Sequence, residues 1–354
     1  MMFQVYGDRA LTQWLGLFLF IGGLILLNEI ARRTKAGGII VFGVVPAALS
    51  VFFIALQIGV HHGAEWALNN QTYLYMNGWF HYAKLYAAVA GCIGFVLLKY
   101  KVWIGAKEWF KPWPFVIVAI NILIAVASDL ESAVKGLHNY ATMGTHWWLS
   151  NEQVWIYGGW WNVLNAIAGV LCIFCMTGWW GIYSSKGRQD MLWPDMTFGY
   201  ILVYDIWNFA YTYLNMPIET WYSGFALLLA PTIAAMFWNK GGWIQNRAFT
   251  LGIACMAMQL FAPWFVKFSD FATVSAVYGD TYAANDFKWD PSIVPLESAA
   301  DPRMQGLWAV AALAANAIFL GMIIKRARKL HINPYKQELW VGTKDFEEAM
   351  ERAE

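Results

Sequence analysis

Charged residues are scarce in this sequence. Asp, Glu, Lys and Arg make up 13% of the 354 residues, and 59% of the residues are hydrophobic. An average soluble domain is about 25% charged, so this composition indicates a membrane protein. The sequence also lacks a phosphate-binding glycine loop, an HExxH motif and a repeat of fixed period. Nothing in it suggests nucleic-acid binding.

Cysteine is also rare, and no cleavable signal peptide is evident. The four cysteines lie inside apolar segments and are expected to be small core residues without a disulfide framework; they are Cys92, Cys172, Cys175 and Cys255. Asp8 and Arg9 precede the first apolar run, which continues at full spanning length to Asn28. We therefore expect this run to be retained as a helix.

Long apolar runs between charged or Gly/Pro-rich breaks predict nine membrane-spanning helices of roughly 20 residues each. They lie near residues 10–31, 38–61, 78–99, 113–134, 155–183, 195–215, 218–238, 244–267 and 304–325. The predicted fold is an all-α polytopic membrane domain over residues 1–330, with an acidic cap loop at 268–303 on its outer face. Residues 331–354 would form a short cytoplasmic tail.

Basic residues predict the orientation. Five breaks on one side, counted with the whole tail, carry 18 of the 24 Lys and Arg residues, including Lys99 and Arg247. The opposite loops are poor in basic residues and carry Asp270, Asp280, Asp286, Asp290 and Asp301. Because positive loops stay in the cytoplasm, the N-terminus is expected outside and the tail inside.

Charged residues inside the predicted spans are the strongest functional signal. Lys84, Asp129, Glu131 and Asp205 all fall toward the outer side. An unpaired charge at a helix centre costs roughly 2.5–3.5 kcal/mol, so such residues usually pair and face a cavity. We expect Lys84 to pair with Asp205 or Asp129, and we assign Lys84, Asp129 and Asp205 proton transfer or charge stabilisation.

Polar side chains accumulate in the outer half of six consecutive helices, which predicts a polar cavity that opens outward. The segment Tyr204–Tyr211 places aromatic rings, Asp205 and Asn208 on a helix at mid-depth, which suits a ligand with an apolar body and a few polar groups. A structural polar cluster is the alternative. The predicted substrate-binding residues are Tyr82, Asn165, Tyr204, Asn208 and Tyr211.

A metal site is a further hypothesis. His61, His62, Glu65, His81 and Glu131 lie near the outer helix ends, and His61 and Glu65 could share one helix face. Imidazole and carboxylate groups could hold zinc or a non-haem iron. The alternative is that these histidines form hydrogen bonds in wet interfacial loops.

Three segments carry a family resemblance: the run Tyr204–Tyr211, the Gly-Trp-Trp-Asn motif at 159–162, and the run Lys240–Arg247. With them the chain resembles a bacterial multi-pass membrane family of unassigned function, over most of its length. The resemblance implies a bacterial cytoplasmic (inner) membrane and no particular activity.

Three functions compete. The first is a membrane enzyme acting on a lipid-like or hydrophobic substrate, metal-dependent if the histidines bind a metal. The second is a proton- or ion-coupled transporter that uses Lys84, Asp129 and Asp205. Two features argue against a transporter: the sequence shows no internal duplication, and its cytoplasmic half has few polar residues besides Asn28 and Glu29. The third is a binding or sensory subunit. The expected partners are membrane lipids and a hydrophobic small molecule or ion.

Overall fold

The computed structural model describes residues 3–4, 10–150, 155–217, 220–265, 274–275 and 302–354. The chain is mainly helical. Its long helices are α1 (Ala10–Arg33), α2 (Lys35–His61), α3 (Trp79–Tyr100), α4 (Trp113–Met143), α5 (Trp160–Phe174), α6 (Phe198–Asn215), α7 (Thr220–Phe237), α8 (Trp243–Leu260) and α9 (Pro302–Leu330), followed by the short α10 (Lys344–Met350). α2 contains a π-helical turn at Ile40–Val44, and α7 begins with one at Thr220–Ala226.

Short elements join these helices. One-turn helices lie at Glu65–Leu68, Gln71–Met76 and Ala262–Phe265, and 3₁₀ turns at Trp103–Ala106, Glu108–Phe110 and Lys186–Arg188. Three antiparallel strand pairs complete the chain: β1 (Phe3–Gln4) with β6 (Val274–Ser275), β2 (Trp147–Leu149) with β3 (Trp155–Tyr157), and β4 (Tyr183–Ser184) with β5 (Met191–Leu192).

Within the described ranges, six helical segments are long and apolar enough to cross a membrane: Leu11–Arg33, Lys35–His61, Trp79–Tyr100, Glu108–Met143, Thr220–Phe237 and Arg303–Leu330. They expose large apolar side chains such as Phe18, Val51 and Ile318, as lipid-facing helices do. The chain is therefore a multi-pass membrane protein. Helix α5 is also apolar but is shorter than these six segments.

Helices α6 and α8 lie at the centre of the bundle. α8 packs against α3, α7 and α1, whereas α6 packs against α9 and α5, and α4 lies between α3 and α5. Trp207 of α6 and Trp243 of α8 are fully buried. Polar side chains on these two helices consequently face protein or internal space, where water cannot satisfy them.

A buried ionic network ties the C-terminal segment to the membrane helices. Asp190 is 1% exposed and accepts two bonds from Arg32 Nη1, at 2.9 and 3.0 Å, and another from Arg352. Nearby, Asp195 accepts the backbone N–H groups of Leu339 and Trp340 at 2.9 and 3.2 Å, and burial raises its pKa. Residues 331–354 are thus packed onto this end of the bundle.

The positions of several basic residues differ from the sequence expectation. Lys99, Arg32 and Arg247 counted as interfacial charges, yet all three are buried. Polar groups inside the bundle satisfy two of them: Arg32 meets Asp190, and Lys99 Nζ donates to Arg32 O at 2.7 Å and Gln189 O at 3.1 Å. Glu29 pairs with Arg32 and Arg33. The acidic cap loop lies outside the described residues, apart from β6 and the start of α9, and so does Glu219.

Candidate functional site

A cavity lies between α3, α6, α7 and α8, and about 50 Å³ of it is open to water-sized molecules. We call it the central cavity. Its walls are mostly apolar and include Phe80, Leu227, Leu251 and Met258. The polar residues that line it are His81, Lys84, Asn208, Tyr211, Thr212, Ser223, Arg247 and Gln259. The two cations, Lys84 and Arg247, therefore face one largely apolar space.

Arg247 is the most unusual residue of this site. It sits in the second turn of α8 with 4% of its surface exposed. Its Nη2 donates to Asn208 Oδ1 at 3.3 Å, and its guanidinium lies over the Tyr204 ring at 5.7 Å. Its Nε and Nη1 atoms have no hydrogen-bond partner. Among the described residues no carboxylate forms a salt bridge with it, and Asp205 interacts with it only through longer-range electrostatics.

Lys84 is likewise without a carboxylate partner in the described part of the chain. Its Nζ donates to the backbone carbonyl of Asn121 at 2.7 Å and lies 5.9 Å from the centre of the Phe80 ring. The predicted pairing with Asp129 or Asp205 is wrong. Asp129 follows Asn121 on α4 by eight residues, which is about 12 Å along the helix, and Asp205 is hydrogen-bonded to Thr232 of α7 instead.

A second cavity, with about 30 Å³ open to water-sized molecules, adjoins the first. It is lined by Gly91, Phe95, Ile117 and Asn121, and by Tyr204. Along α3 the central cavity touches residues 80–84 and the second cavity residues 88–95. Arg247 and Leu251 line both. The two cavities are therefore stacked along the helix axes, with Arg247 at their boundary.

Asp129 occupies a separate polar cluster between α4, α5 and α6. It is fully buried, and three side-chain amides donate to it: Asn215 Nδ2 at 2.6 Å, Asn165 Nδ2 at 2.7 Å and Asn162 Nδ2 at 3.2 Å. Ser132 Oγ donates to Asn215 Oδ1 at 2.6 Å. We call this the Asp129 cluster. Asp129 does not line the central cavity.

Asp205 is distant from that cluster. It accepts Thr232 Oγ1 at 2.9 Å, and Thr232 in turn accepts Trp243 Nε1 at 3.1 Å. The second oxygen of Asp205, Oδ1, is buried without a partner. Asp205 and Asn215 are ten residues apart on α6, or about 15 Å. The three charges expected to act together, on Lys84, Asp129 and Asp205, are thus spread over three sites.

The structure does not bring the predicted metal ligands together. His61 ends α2, and Gly63, with φ of 69°, breaks the helix before Glu65, so these two residues do not share one helix face. Glu131 accepts Lys135 Nζ at 2.7 Å and Trp79 Nε1 at 3.1 Å. The predicted ligands are His61, His62, Glu65, His81 and Glu131, and no group of three or more His, Cys, Asp or Glu residues in the described ranges is placed to hold a metal.

The predicted substrate-binding residues divide into three groups. Asn208 and Tyr211 line the central cavity, and Tyr204 lies beneath Arg247 and lines the second cavity. Asn165 belongs to the Asp129 cluster. Tyr82 packs edge-on against Phe53, with ring centres 5.4 Å apart, and does not line the central cavity.

Sequence reasoning missed Arg247 as a site residue, although the signal was present. Arg247 lies inside the predicted helix 244–267, yet it was counted with the cytoplasmic loop. An arginine within a span is costly wherever it faces lipid, so its position inside a helix indicates a cavity or a partner.

A profile described as Family of unknown function (DUF5692) matches residues 7–352. The chain belongs to this family. No curated protein and no solved structure matches it.

Proposed function

We propose that this protein binds a small organic anion, a carboxylate with an apolar body, in the central cavity and carries it across the membrane. The observation that supports this most is Arg247, a buried cation at the boundary of two stacked cavities that forms no salt bridge with any described residue.

The charges and the apolar walls of the central cavity support an organic anion as the ligand. Lys84 and Arg247 place two positive charges on one cavity, and two guanidinium nitrogens of Arg247, Nε and Nη1, have no partner among the described residues. A carboxylate would accept hydrogen bonds from these groups and neutralise charge in a medium of low dielectric constant. The apolar walls formed by Leu227, Leu251 and Met258 favour a hydrocarbon body over a bare inorganic ion.

The stacked cavities favour transport over catalysis. Substrate sites of carriers lie near the membrane midplane, with space on both sides. The sequence predicted that polar side chains are confined to the outer half of the membrane domain. In the structure, Gln245 and Asn246 are buried near Asp190, so polar side chains also lie on the proposed cytoplasmic side of Arg247. The two carboxylates that the sequence assigned to acid–base chemistry lie elsewhere. Asp129 and Asp205, expected to fill that role, do not line the central cavity.

We further propose nine crossings, with the N-terminus outside and the tail in the cytoplasm of a bacterial inner membrane. In support, helical segments occupy all nine predicted positions, and basic residues concentrate at one end. Single cysteines introduced at Gln71 and Lys329, both exposed, should react with an impermeant reagent from opposite sides. Labelling from the same side would contradict this orientation.

Binding is the first test of the proposed ligand. The purified protein in detergent is titrated with benzoate and octanoate by calorimetry, with chloride and phosphate for comparison. Wild type and Lys135→Gln, which loses a partly exposed cation away from the cavity, should bind the organic anions. Arg247→Gln should not. Equal binding by Arg247→Gln, or no binding of either carboxylate to wild type, would overturn the proposal.

Uptake separates carriage from binding alone. Proteoliposomes containing wild type should accumulate labelled benzoate down its gradient faster than liposomes containing Arg247→Gln. If wild type binds benzoate but both proteoliposome preparations take it up at the same rate, transport is refuted. The cavity then belongs to an enzyme or a binding subunit.

A further inference from the structure

The Asp129 cluster holds a carboxylate that no charge neutralises. Asp129 is fully buried, and the side chains that donate to it are amides from α5 and α6. Along its own helix, Glu131 and Lys135 pair with each other at 2.7 Å and leave Asp129 alone. Lys84 of α3 is held by Asn121. A neutral form of Asp129 would remove this uncompensated charge from the membrane interior.

A second observation points to the ligand that would neutralise it. Asn165 is fully buried, and while its Nδ2 donates to Asp129 Oδ2, its Oδ1 has no hydrogen-bond partner. Rotation of the Asn165 amide by 180° would exchange the positions of Nδ2 and Oδ1. Oδ1 would then accept a hydrogen bond from a protonated Asp129. The site can therefore hold Asp129 in either of two states, charged or carrying a proton.

A metal ion fits this cluster less well than a proton does. All three amides present N–H groups to Asp129, whereas Na⁺ or Ca²⁺ would need several oxygen ligands around one point. Asn162 Oδ1 already accepts the Gly159 N–H at 3.0 Å, and Asn215 Oδ1 accepts Ser132. Only the Oδ1 of Asn165 remains among the amide oxygens that face the site.

Helix α6 connects this cluster to the central cavity. Asn215, which binds Asp129, and Asn208, which binds Arg247, are seven residues apart on one face of α6, about 10 Å along the helix. Trp207 Nε1 also donates to the backbone carbonyl of Asn165 at 3.2 Å, and Trp207 packs against Tyr204 beneath Arg247. A small displacement of α6 would change hydrogen bonds at both sites.

We propose that Asp129 is a proton-binding site and that a proton taken up there accompanies the anion. The part of this proposal in which the proton accompanies the anion rests on the function proposed for the central cavity. An anion bound near Arg247 adds negative charge at low dielectric constant, which favours the protonated form of Asp129. The pair would cross the membrane without net charge.

The proton site is tested first, without any anion. Infrared spectra of the wild-type protein, recorded over a pH series, should contain the C=O stretch of a buried protonated carboxylic acid at low pH. Asp129→Asn should lack this band, whereas Asp205→Asn should retain it. Asn165→Leu, which removes one donor and the unpartnered acceptor, should shift the pH at which the band appears. A band that is identical in Asp129→Asn and wild type would overturn the proposal.

The coupling is tested by benzoate affinity as a function of pH. In wild type the affinity should rise as pH falls, by up to about tenfold per pH unit, the limit for one linked proton. Asp129→Asn should bind with little pH dependence. His81 also lines the central cavity, so His81→Gln serves as the control and should keep the dependence. Loss of the dependence in His81→Gln but not in Asp129→Asn would refute the coupling. An Asp129 band in a protein that binds no benzoate would leave the proton site standing and remove the carrier.

Discussion

Replacing Lys84 by Met removes a cation that no carboxylate of the described residues neutralises. Met keeps a similar unbranched shape and fills the space with apolar atoms. If Lys84 is present for the fold, the variant should be less stable. If it is present for an anionic ligand, the empty protein should be as stable as wild type or more stable, and it should bind the anion less tightly.

The magnitude follows from two opposing contributions. Placing a lysine within a span costs roughly 2.5–3.5 kcal/mol. The hydrogen bond from Lys84 to Asn121, at 2.7 Å, returns about 1.5–3 kcal/mol for a charged donor. The Lys84→Met variant is therefore expected to range from unchanged to about 2 kcal/mol more stable without ligand. Loss of one charge-assisted bond of the same size should weaken benzoate binding by between about 10-fold and about 150-fold.

Two assays on the same samples give the answer. Thermal unfolding in detergent without ligand reports the stability, and calorimetric titration with benzoate reports the affinity. Lys135→Met is the matched control: Lys135 pairs with Glu131 on the partly exposed face of α4, so it should lose at most about 1 kcal/mol and keep its affinity. A Lys84→Met protein that unfolds at a clearly lower temperature, with unchanged benzoate affinity, would refute the reasoning.

Three further predictions concern the fold. Gly136→Ala should destabilise by about 1–3 kcal/mol, because the added Cβ would lie 2.1 Å from Gly158 O, whereas Gly22→Ala, with no atom within 4 Å, should be tolerated. Asp190→Ala should cost about 3–5 kcal/mol, since it removes the buried carboxylate that Arg32 and Arg352 share. Burial lowers the pKa of His146 below 6.5, so its contribution to stability is present above that pH and is lost as the pH falls; His146→Gln should flatten this dependence.

Each of these predictions can fail. Equal unfolding temperatures for the two glycine variants would show that α4 can move away from Gly158. Asp190→Ala should also increase hydrogen exchange in α10, because Arg352 anchors that segment; unchanged exchange would mean that Asp195 alone holds it. For His146, hydrogen exchange of β2 and β3 on acidification should rise in wild type and stay level in His146→Gln, and the reverse order would contradict the assigned cause.

Hydropathy was sufficient to predict the helices but not their partners. The apolar runs mark the positions of α1 to α9 because the need to bury backbone polar groups in lipid leaves helices as the only solution for such segments. The polar residues at mid-depth of α6 likewise predicted that Asn208 and Tyr211 face a cavity. Depth, however, says nothing about which neighbouring helix a side chain meets. For this reason the sequence predicted a carboxylate as the partner of Lys84, whereas the structure shows the Asn121 carbonyl.

Buried cations were missed for a related physical reason. The count of basic residues treats each one near a break as solvated, but Arg32 and Lys99 meet Asp190 and backbone carbonyls contributed by distant parts of the chain. Asp190 lies in a segment with no helical period and becomes the centre of a network only when α1, α8 and the C-terminal segment meet there. Such contacts are tertiary, and no local pattern indicates them.

The contrast between Arg32 and Arg247 links stability to function. Both are buried arginines near the ends of central helices, yet Arg32 meets Asp190 and Glu29, whereas Arg247 meets one amide and one aromatic ring. A fold under selection for stability alone would gain from giving Arg247 a carboxylate or from replacing it. Arg247 forms no salt bridge within the described residues, and the proposed function accounts for this because the anion would arrive as a ligand. Because a carried ligand must also leave, a permanent carboxylate partner for Arg247 would compete with it, and the open cavity beside the guanidinium is what such a carrier requires.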